Sequence, residues 1–342
     1  MGIRSIQAGT TMNALVTGGG GFLGFAVVKL LREHGHTVRS YSRQRHSKLD
    51  ALSVEQYAGD LTDLSSLTKA IDGCDTVFHV AAKAGVWGPW RDYFATNVTG
   101  TRNILTACRT ASVPRLVFTS SPSVTFAGED QEGINEKVPY PATFLAHYPH
   151  TKAIAEQEVM AANSPELATV SLRPHLIWGP DDPHLIPRLV ERAKAGKLRR
   201  IGHASKLVDT TFVDNAAMAH LQTAKKLAPG SPVAGKAYFL SQGQPEPLWD
   251  FINRVMRVAA LPEVTKTVSP RLALTAGAVL ETAYRLTGRT AEPPMTRFVA
   301  RQLSTSHWFD LTAARRDFGY SPQVSTAKGF ELMADWLKSL AG

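Results

Sequence analysis

Asn13-Ala14-Leu15-Val16-Thr17-Gly18-Gly19-Gly20-Gly21-Phe22-Leu23-Gly24 is a short apolar run that ends in a cluster of glycines. Val27, Val28, Leu30 and Leu31 follow at spacings that give a helix one buried face. A strand, a glycine turn and a helix in succession form the first unit of a dinucleotide-binding fold. In that unit Gly18 permits the tight turn, Gly21 lets the backbone approach a pyrophosphate, and Gly24 allows close packing of helix on strand. Phe22 and Leu23 then stand in the first helical turn, where free N–H groups and the helix dipole favour an anion.

The pattern repeats downstream. Residues 36–41 form a second apolar-alternating segment, followed by Ser42-Arg43-Gln44-Arg45. An acidic residue at the end of this strand would bind the adenosine ribose hydroxyls and select NAD. None stands here; serines and arginines do, and arginine pairs well with a 2′-phosphate. Ser42 and Arg43 therefore point to NADP(H). Residues 54–58 read as a third strand running into Gly59-Asp60-Leu61, then comes a helix over 64–71. Residues 76–80 read as a buried strand ending in Ala81-Ala82, small residues that leave room for a ligand. A helix over 93–111 carries Asn97, and residues 115–119 form a strand ending in Ser120-Ser121-Pro122-Ser123. Alternating strands and helices predict an α/β Rossmann-type, doubly wound parallel sheet. Ligands of such sheets bind beyond the carboxyl ends of the strands, where the glycines, Ala81, Ala82 and Ser121 all fall.

From about residue 180 the rhythm changes to proline-punctuated helices. The expected division is a cofactor domain over 12–180, with returning segments near 205–245, and a smaller, mostly helical C-terminal substrate lobe from 181–204 and 246–342.

Composition narrows the function classes. The 342 residues carry 44% hydrophobic and 20% charged residues, ordinary for a folded protein. Cys74 and Cys108 make neither a disulfide framework nor a metal-ligand spacing, so no metal is expected and a reducing cytoplasm is. No apolar run approaches the about 18 residues a membrane span needs. Leu272 to Leu280 reads as a packed helix, with surface contact to membrane or a lipidic substrate as the alternative. The first eleven residues lack a signal-peptide core, and Met12 is an alternative start. The net charge of +9 favours anionic ligands. Its densest cluster, Arg188 to Arg200, lacks interleaved aromatics, which argues against nucleic acid.

Tyr148-Pro149-His150-Thr151-Lys152 opens a further helix. Residues four apart share a helix face, so Tyr148 and Lys152 reach the same cleft. A neighbouring ammonium is expected to lower the tyrosine pKa and make Tyr148 a proton donor and acceptor near neutral pH. A hydroxyl from the 119–123 segment would assist; Ser121 is preferred, with Thr119, Ser120 and Ser123 as alternatives. Trp87, Phe126, Trp178, Leu185 and Ile186 are candidates to line an apolar substrate tunnel. Lys83 and His175 are candidates to meet a substrate carboxylate.

Together, Thr17-Gly18-x-x-Gly21-x-x-Gly24, Gly59-Asp60-Leu61, Ser120-Ser121, Tyr148-x-x-x-Lys152 and Arg173-Pro174 resemble the extended short-chain dehydrogenase/reductase superfamily. The segment Thr211-Phe212-Val213-Asp214-Asn215-Ala216-Ala217-x-Ala219-His220 and the Tyr148 motif look most like its 3β-hydroxysteroid dehydrogenase branch. Ala81-Ala82-Lys83-Ala84-Gly85-x-Trp87-Gly88 and Arg173-Pro174-x-Leu176-Ile177-Trp178-Gly179-Pro180 look closer still to the 2-alkyl-3-oxoalkanoate reductases of bacterial long-chain olefin biosynthesis. That resemblance implies NADPH-dependent reduction of a long-chain β-keto acid and transfer of the β-hydroxy acid to a β-lactone-forming partner enzyme. It implies a catalytic set of Ser121, Tyr148 and Lys152. It also implies a cofactor site of Gly18, Gly21, Phe22, Leu23, Gly24, Ser42, Arg43, Asp60, Leu61, Ala81, Ala82, Asn97, Tyr148, Lys152 and Pro174. Superfamily analogy adds a homodimer through the helices containing Asn97 and Tyr148. The competing readings are an NAD-linked steroid or sterol dehydrogenase, a nucleotide-sugar epimerase or dehydratase, and a non-catalytic NADPH sensor.

Overall fold

The computed structural model describes residues 11–341; the segment before the alternative start lies almost wholly outside them. Seven strands form one parallel sheet: β1 (Asn13–Thr17), β2 (Thr37–Ser42), β3 (Glu55–Ala58), β4 (Thr76–His79), β5 (Arg115–Thr119), β6 (Ala168–Pro174) and β7 (Lys236–Leu240). Their spatial order is β3-β2-β1-β4-β5-β6-β7. The order reverses between β1 and β4, so the crevice at their carboxyl ends is the expected ligand position.

Alternation along the strands divides the core into two layers. Ala14 and Val16, Phe78 and Val117 join one apolar cluster with Val27, Val28 and Leu31 of α1 (Phe22–Glu33). Leu15, Val77, Leu116 and Phe118 point the other way, into a cluster with Leu67 and Ile71 of α2 (Leu64–Ile71), Ile104 and Leu105 of α3 (Gly100–Thr110) and Val159 of α4 (His147–Ala161). Period-two side chains on a sheet covered on both faces produce this layering.

The predicted 93–111 helix is three pieces. A short turn at Trp90–Tyr93 leads into a π-helical stretch, Phe94–Thr99, and only then into α3. The wide turn sits where Asn97 reaches sideways rather than along the helix. Such bulges concentrate at functional sites.

The chain after β6 adds α5 (Leu185–Lys194), α6 (Val213–Lys226), α7 (Leu248–Val258) and α8 (Pro270–Leu286). α6 packs beside α1 on the sheet. A second, four-stranded sheet joins Glu246–Pro247, Leu207–Val208, His307–Phe309 and Gln131–Ile134. The stretch beginning at Leu207 thus starts in this small sheet, whereas Thr211–Phe212 pairs with Ile177–Trp178. The parallel pairing of His307–Phe309 with Gln131–Ile134 brings segments 176 residues apart to one wall of the crevice. On α5, Arg188 is bound by Glu292 and Arg192 by the Pro294 carbonyl, so part of the basic cluster fastens the 292–294 loop.

Candidate functional site

The glycine turn fits a dinucleotide. Gly18 has φ +68°, and a Cβ on Gly24 would lie 2.1 Å from the Gly18 carbonyl oxygen. Side chains are excluded at both positions, and backbone is left facing the crevice. Gly21 precedes α1 without a side-chain cap, so the first-turn N–H groups of Phe22 and Leu23 remain for an anion. Ser40 lies under Gly19 with its hydroxyl buried and unpartnered.

Beyond β2, Ser42 Oγ donates to the Gln44 carbonyl (2.8 Å) and Arg45 pairs with Asp50 (3.2 Å). Arg43 is exposed, and among the described residues no ion pair engages it. Asp60 accepts from the backbone and hydroxyl of Thr62, which hold its carboxyl below the usual range. Leu61 is buried against Gly100.

A chain of hydrogen bonds links the ends of β1 and β4 to the π-turn. The Ala81 amide donates to Thr17 Oγ1, Thr17 meets His79 Nδ1 (2.8 Å), His79 Nε2 meets Thr101 Oγ1 (3.0 Å), and Thr101 donates to the Asn97 carbonyl. Because Thr101 spends its proton on Asn97, His79 carries its own proton on Nε2. Burial holds His79 down at about 3, so it stays neutral. The Asn97 side chain clamps the backbone of Lys83 at both its N–H (2.8 Å) and its carbonyl (3.1 Å), and donates to Thr151 of α4 (3.0 Å). Asn97 thus ties the segment after Ala82 to the Tyr148 helix. Sequence reasoning missed His79 and Thr101, whose roles need the β4–α3 contact.

A cavity of about 200 Å³ opens beside this point. Ser121, Ser123, Tyr148, Pro174 and Phe126 line it, with His175, Gln131, Phe298, Gln302, His307 and Phe309 among the other walls. Thr119 and Ser120 do not reach it: Thr119 Oγ1 is committed to His220 (2.8 Å) and Ser120 is buried. Ser121 and Ser123 Oγ are 2.9 Å apart.

The electrostatics differ from the sequence expectation. Burial pushes the Tyr148 phenol above its ordinary value, and the facing Ser121 hydroxyl is the influence opposing this. Lys152 does not depress it. Its Nζ donates instead to the Thr119 carbonyl (2.6 Å) and lies 3.9 Å over the Phe118 ring. Burial lowers Lys152 itself to about 7, with Glu156 opposing.

The tunnel candidates also divide. Phe126 lines the cavity, but Trp178 and Ile186 are wholly buried in the core. Trp178 packs on Phe212, Phe251 and Phe330, and Leu185 packs against the same core. Trp87 lies edge-on to Tyr284 and donates to the Arg289 carbonyl, outside the cavity lining. Of the two carboxylate candidates, His175 lines the cavity. Lys83 is half-buried over the Tyr93 ring, 3.9 Å from Asp92. Gln131, Phe298, Gln302, His307 and Phe309 carry no local signal that would have placed them here.

Residues 15–271 match the 3-beta hydroxysteroid dehydrogenase/isomerase family. The chain is 49% identical to a 2-alkyl-3-oxoalkanoate reductase of Shewanella oneidensis, over 95% of this chain and 86% of that one. Identity is also 49% to a protein of the same name from Stenotrophomonas maltophilia, over 93% and 97%. A sterol-4-alpha-carboxylate 3-dehydrogenase, decarboxylating, of Mus musculus is 32% identical over 92% and 88%. Among solved structures, MoeE5 in complex with UDP-glucose and NAD superposes with a TM-score of 0.73 at 25% identity, covering 96% of this chain and 100% of that one. The glycine turn, the Tyr148 helix and these likenesses over nearly the whole length place the chain in the 3-beta hydroxysteroid dehydrogenase/isomerase family, among nicotinamide-dependent oxidoreductases acting on CH–OH groups.

Proposed function

We propose that this protein reduces a 2-alkyl-3-oxoalkanoate, a β-keto acid with long alkyl chains, to the 2-alkyl-3-hydroxyalkanoate, using NADPH. The observation that carries the reading is the 49% identity, over most of the chain, with two reductases named for that substrate. The sterol relative's name is chemically consistent with it. A 4-carboxylate beside an oxygenated C3 is the same β relation between acid and carbonyl carbon.

The chain's residues divide the work as follows. The glycine turn and the start of α1 hold the pyrophosphate, and Ser42 and Arg43 meet the 2′-phosphate. When bound, the nicotinamide supplies hydride to the ketone carbon. Tyr148, kept protonated by burial, gives its proton to the carbonyl oxygen. Ser121 donates a second hydrogen bond as charge develops on that oxygen. Lys152 holds the cofactor ribose, and Asn97 fixes the helix that carries both Tyr148 and Lys152. Phe126, Phe298 and Phe309 give the alkyl chains an apolar wall.

The same proposal places the enzyme in olefin biosynthesis, ahead of a β-lactone-forming partner that consumes the β-hydroxy acid. The two buried, free cysteines fit a cytoplasmic setting. A homodimer would use the helices of Asn97 and Tyr148, where Trp90, Phe94, His147 and His150 cluster at the surface. No helix among the described residues is long and apolar enough to cross a membrane. Peripheral contact would fall to α8.

Initial rates of reduced-nicotinamide oxidation test the reading. A 2-alkyl-3-oxoalkanoate with NADPH should turn over faster than with NADH, and faster than a 3-ketosteroid with either cofactor. Turnover of the ketosteroid alone would overturn it.

A further inference from the structure

If the substrate oxygen sits at Tyr148 and Ser121, its carboxylate, two carbons away, must lie in the same cavity. A carboxylate is only an acceptor and needs donors, preferably cationic ones. Among the described residues that line the cavity there is no lysine or arginine; the groups able to become cationic are His175 and His307. Both are buried, and their rings meet edge to face at 5.7 Å.

Each ring spends one nitrogen on the protein and keeps the other. His175 donates Nδ1–H to the Asp209 carbonyl at 2.5 Å, which leaves Nε2 as a lone pair. His307 Nε2 lies 2.8 Å from Thr305 Oγ1, and that hydroxyl donates onward to the Arg301 carbonyl. Nε2 must therefore be the protonated nitrogen, and Nδ1 is a buried acceptor with no partner among the described residues. An orphan of this kind on a cavity wall calls for a ligand explanation. A second oddity stands beside it. Leu176, next to His175 and also on the cavity wall, has φ +41°, a left-handed conformation unusual for leucine.

We infer that His175 and His307 form the carboxylate subsite of this reductase, and that the carboxylate binds together with one proton taken up by the pair. The inference rests on the substrate reading above. Two neutral rings present only lone pairs to a carboxylate. One added proton turns one of them into an N–H donor without breaking either existing bond. A second proton would set two imidazolium rings against each other.

The surroundings fit an uptake coupled to binding. Burial holds His175 down at about 4 and His307 at about 3, and His175 adds to the depression of His307. Asp130 favours protonation of His307 and Lys206 opposes it; the two are paired with each other at 2.6 Å. Behind His175 lies Asp209, itself raised to about 6 by burial and bonded to Ser241; Tyr148 lines the same cavity. An arriving carboxylate is the opposite charge that raises an imidazole pKa.

Calorimetric titration of the NADP⁺-loaded enzyme with the 2-alkyl-3-hydroxyalkanoate product and with its methyl ester tests this, in two buffers of different ionisation enthalpy. The acid should bind with uptake of about one proton, and its affinity should fall about tenfold per pH unit above neutrality, whereas the ester shows neither effect. His175→Asn and His307→Gln each keep a donor for the bond their ring makes to the protein. Either should weaken the acid roughly tenfold or more, the loss of a charge-assisted hydrogen bond, and leave the ester unchanged. Acid binding without proton uptake by the wild type, or variants that still bind the acid as the wild type does, would overturn the subsite. The wild-type proton count decides even if a variant fails to fold. If the keto acid is not turned over and neither acid nor ester binds, the substrate reading itself falls, and this inference with it.

Discussion

Replacing the Tyr148 hydroxyl by hydrogen, in Tyr148→Phe, removes the proposed proton donor while the ring keeps its place beside Ser121. The kcat for keto-acid reduction is expected to fall by about 10²–10⁴-fold, the usual span for a lost general acid. NADPH binding, followed by quenching of protein fluorescence, should remain nearly unchanged, and this separates a catalytic loss from misfolding. Arg43 is argued the same way. It is exposed and in no ion pair among the described residues, whereas Arg45 is held by Asp50. Arg43→Ala should weaken NADPH binding roughly 10–100-fold and leave NADH alone, because the bond at stake is a charge-assisted one to the 2′-phosphate. Equal losses for both cofactors would assign the preference elsewhere. These two residues were legible because their signals are local: four-residue spacing on a helix, and the residue types at a strand end. The direction of the Tyr148 pKa was not. Burial of the phenol sets it, while the Thr119 carbonyl holds Lys152, and no spacing reveals either.

Where α4 meets β6, a buried ion pair fastens the Tyr148 helix to the sheet. Arg173 reaches Glu156 through Nε (2.9 Å) and Nη2 (2.5 Å), and Tyr140 adds a hydrogen bond to the same carboxylate (2.6 Å). The two side chains are 3% and 0% exposed, so neither has water to fall back on. Glu156→Ala strands the guanidinium and should destabilise the fold by about 3–5 kcal/mol in urea unfolding. The helix was readable from its sequence, but its fastening was not, since Tyr140 and Arg173 stand on separate segments. α8 provides a second case. Leu272, Val279 and Leu286 are spaced by seven and exposed at 60%, 62% and 84%. Arg271, Arg285 and Arg289 are exposed on and just beyond the helix. Under the peripheral-contact proposal, changing the three apolar residues to serine should weaken sedimentation with phosphatidylglycerol–phosphatidylcholine vesicles roughly tenfold. Turnover of a short, water-soluble keto acid should be unaffected. Unchanged sedimentation would return α8 to an ordinary solvent-facing helix.

Among the described residues, the four histidines that burial depresses furthest make the stability of the whole molecule acid-sensitive. His79 and His307 are held at about 3, His175 and His220 at about 4, in each case chiefly by burial. Each titrates near 6.5 once unfolded. Above that value both states are neutral and nothing changes. Below it the unfolded chain binds protons that the folded chain refuses, so stability falls as pH drops toward the folded values. The loss is up to about 1.4 kcal/mol per pH unit for each histidine. Urea midpoints should therefore decline from about pH 6.5 to 4.5, and His220→Gln should flatten the slope by about a quarter. An unchanged slope would assign the acid loss to carboxylates instead.

The glycine turn, the strand-end residues and the Tyr148–Lys152 spacing carried the parallel sheet and the cofactor crevice in the sequence alone. Each rests on a short-range rule: a left-handed turn needs glycine, strands alternate, helices repeat about every 3.6 residues. The cavity wall obeyed no such rule. His307 and Phe309 stand there because their strand pairs with Gln131–Ile134 far earlier in the chain, and Trp178 went to the core because Phe212, Phe251 and Phe330 close over it. Burial and desolvation, which set the protonation of Tyr148, Lys152 and the histidines, likewise arise from long-range packing and came into view with the folded chain.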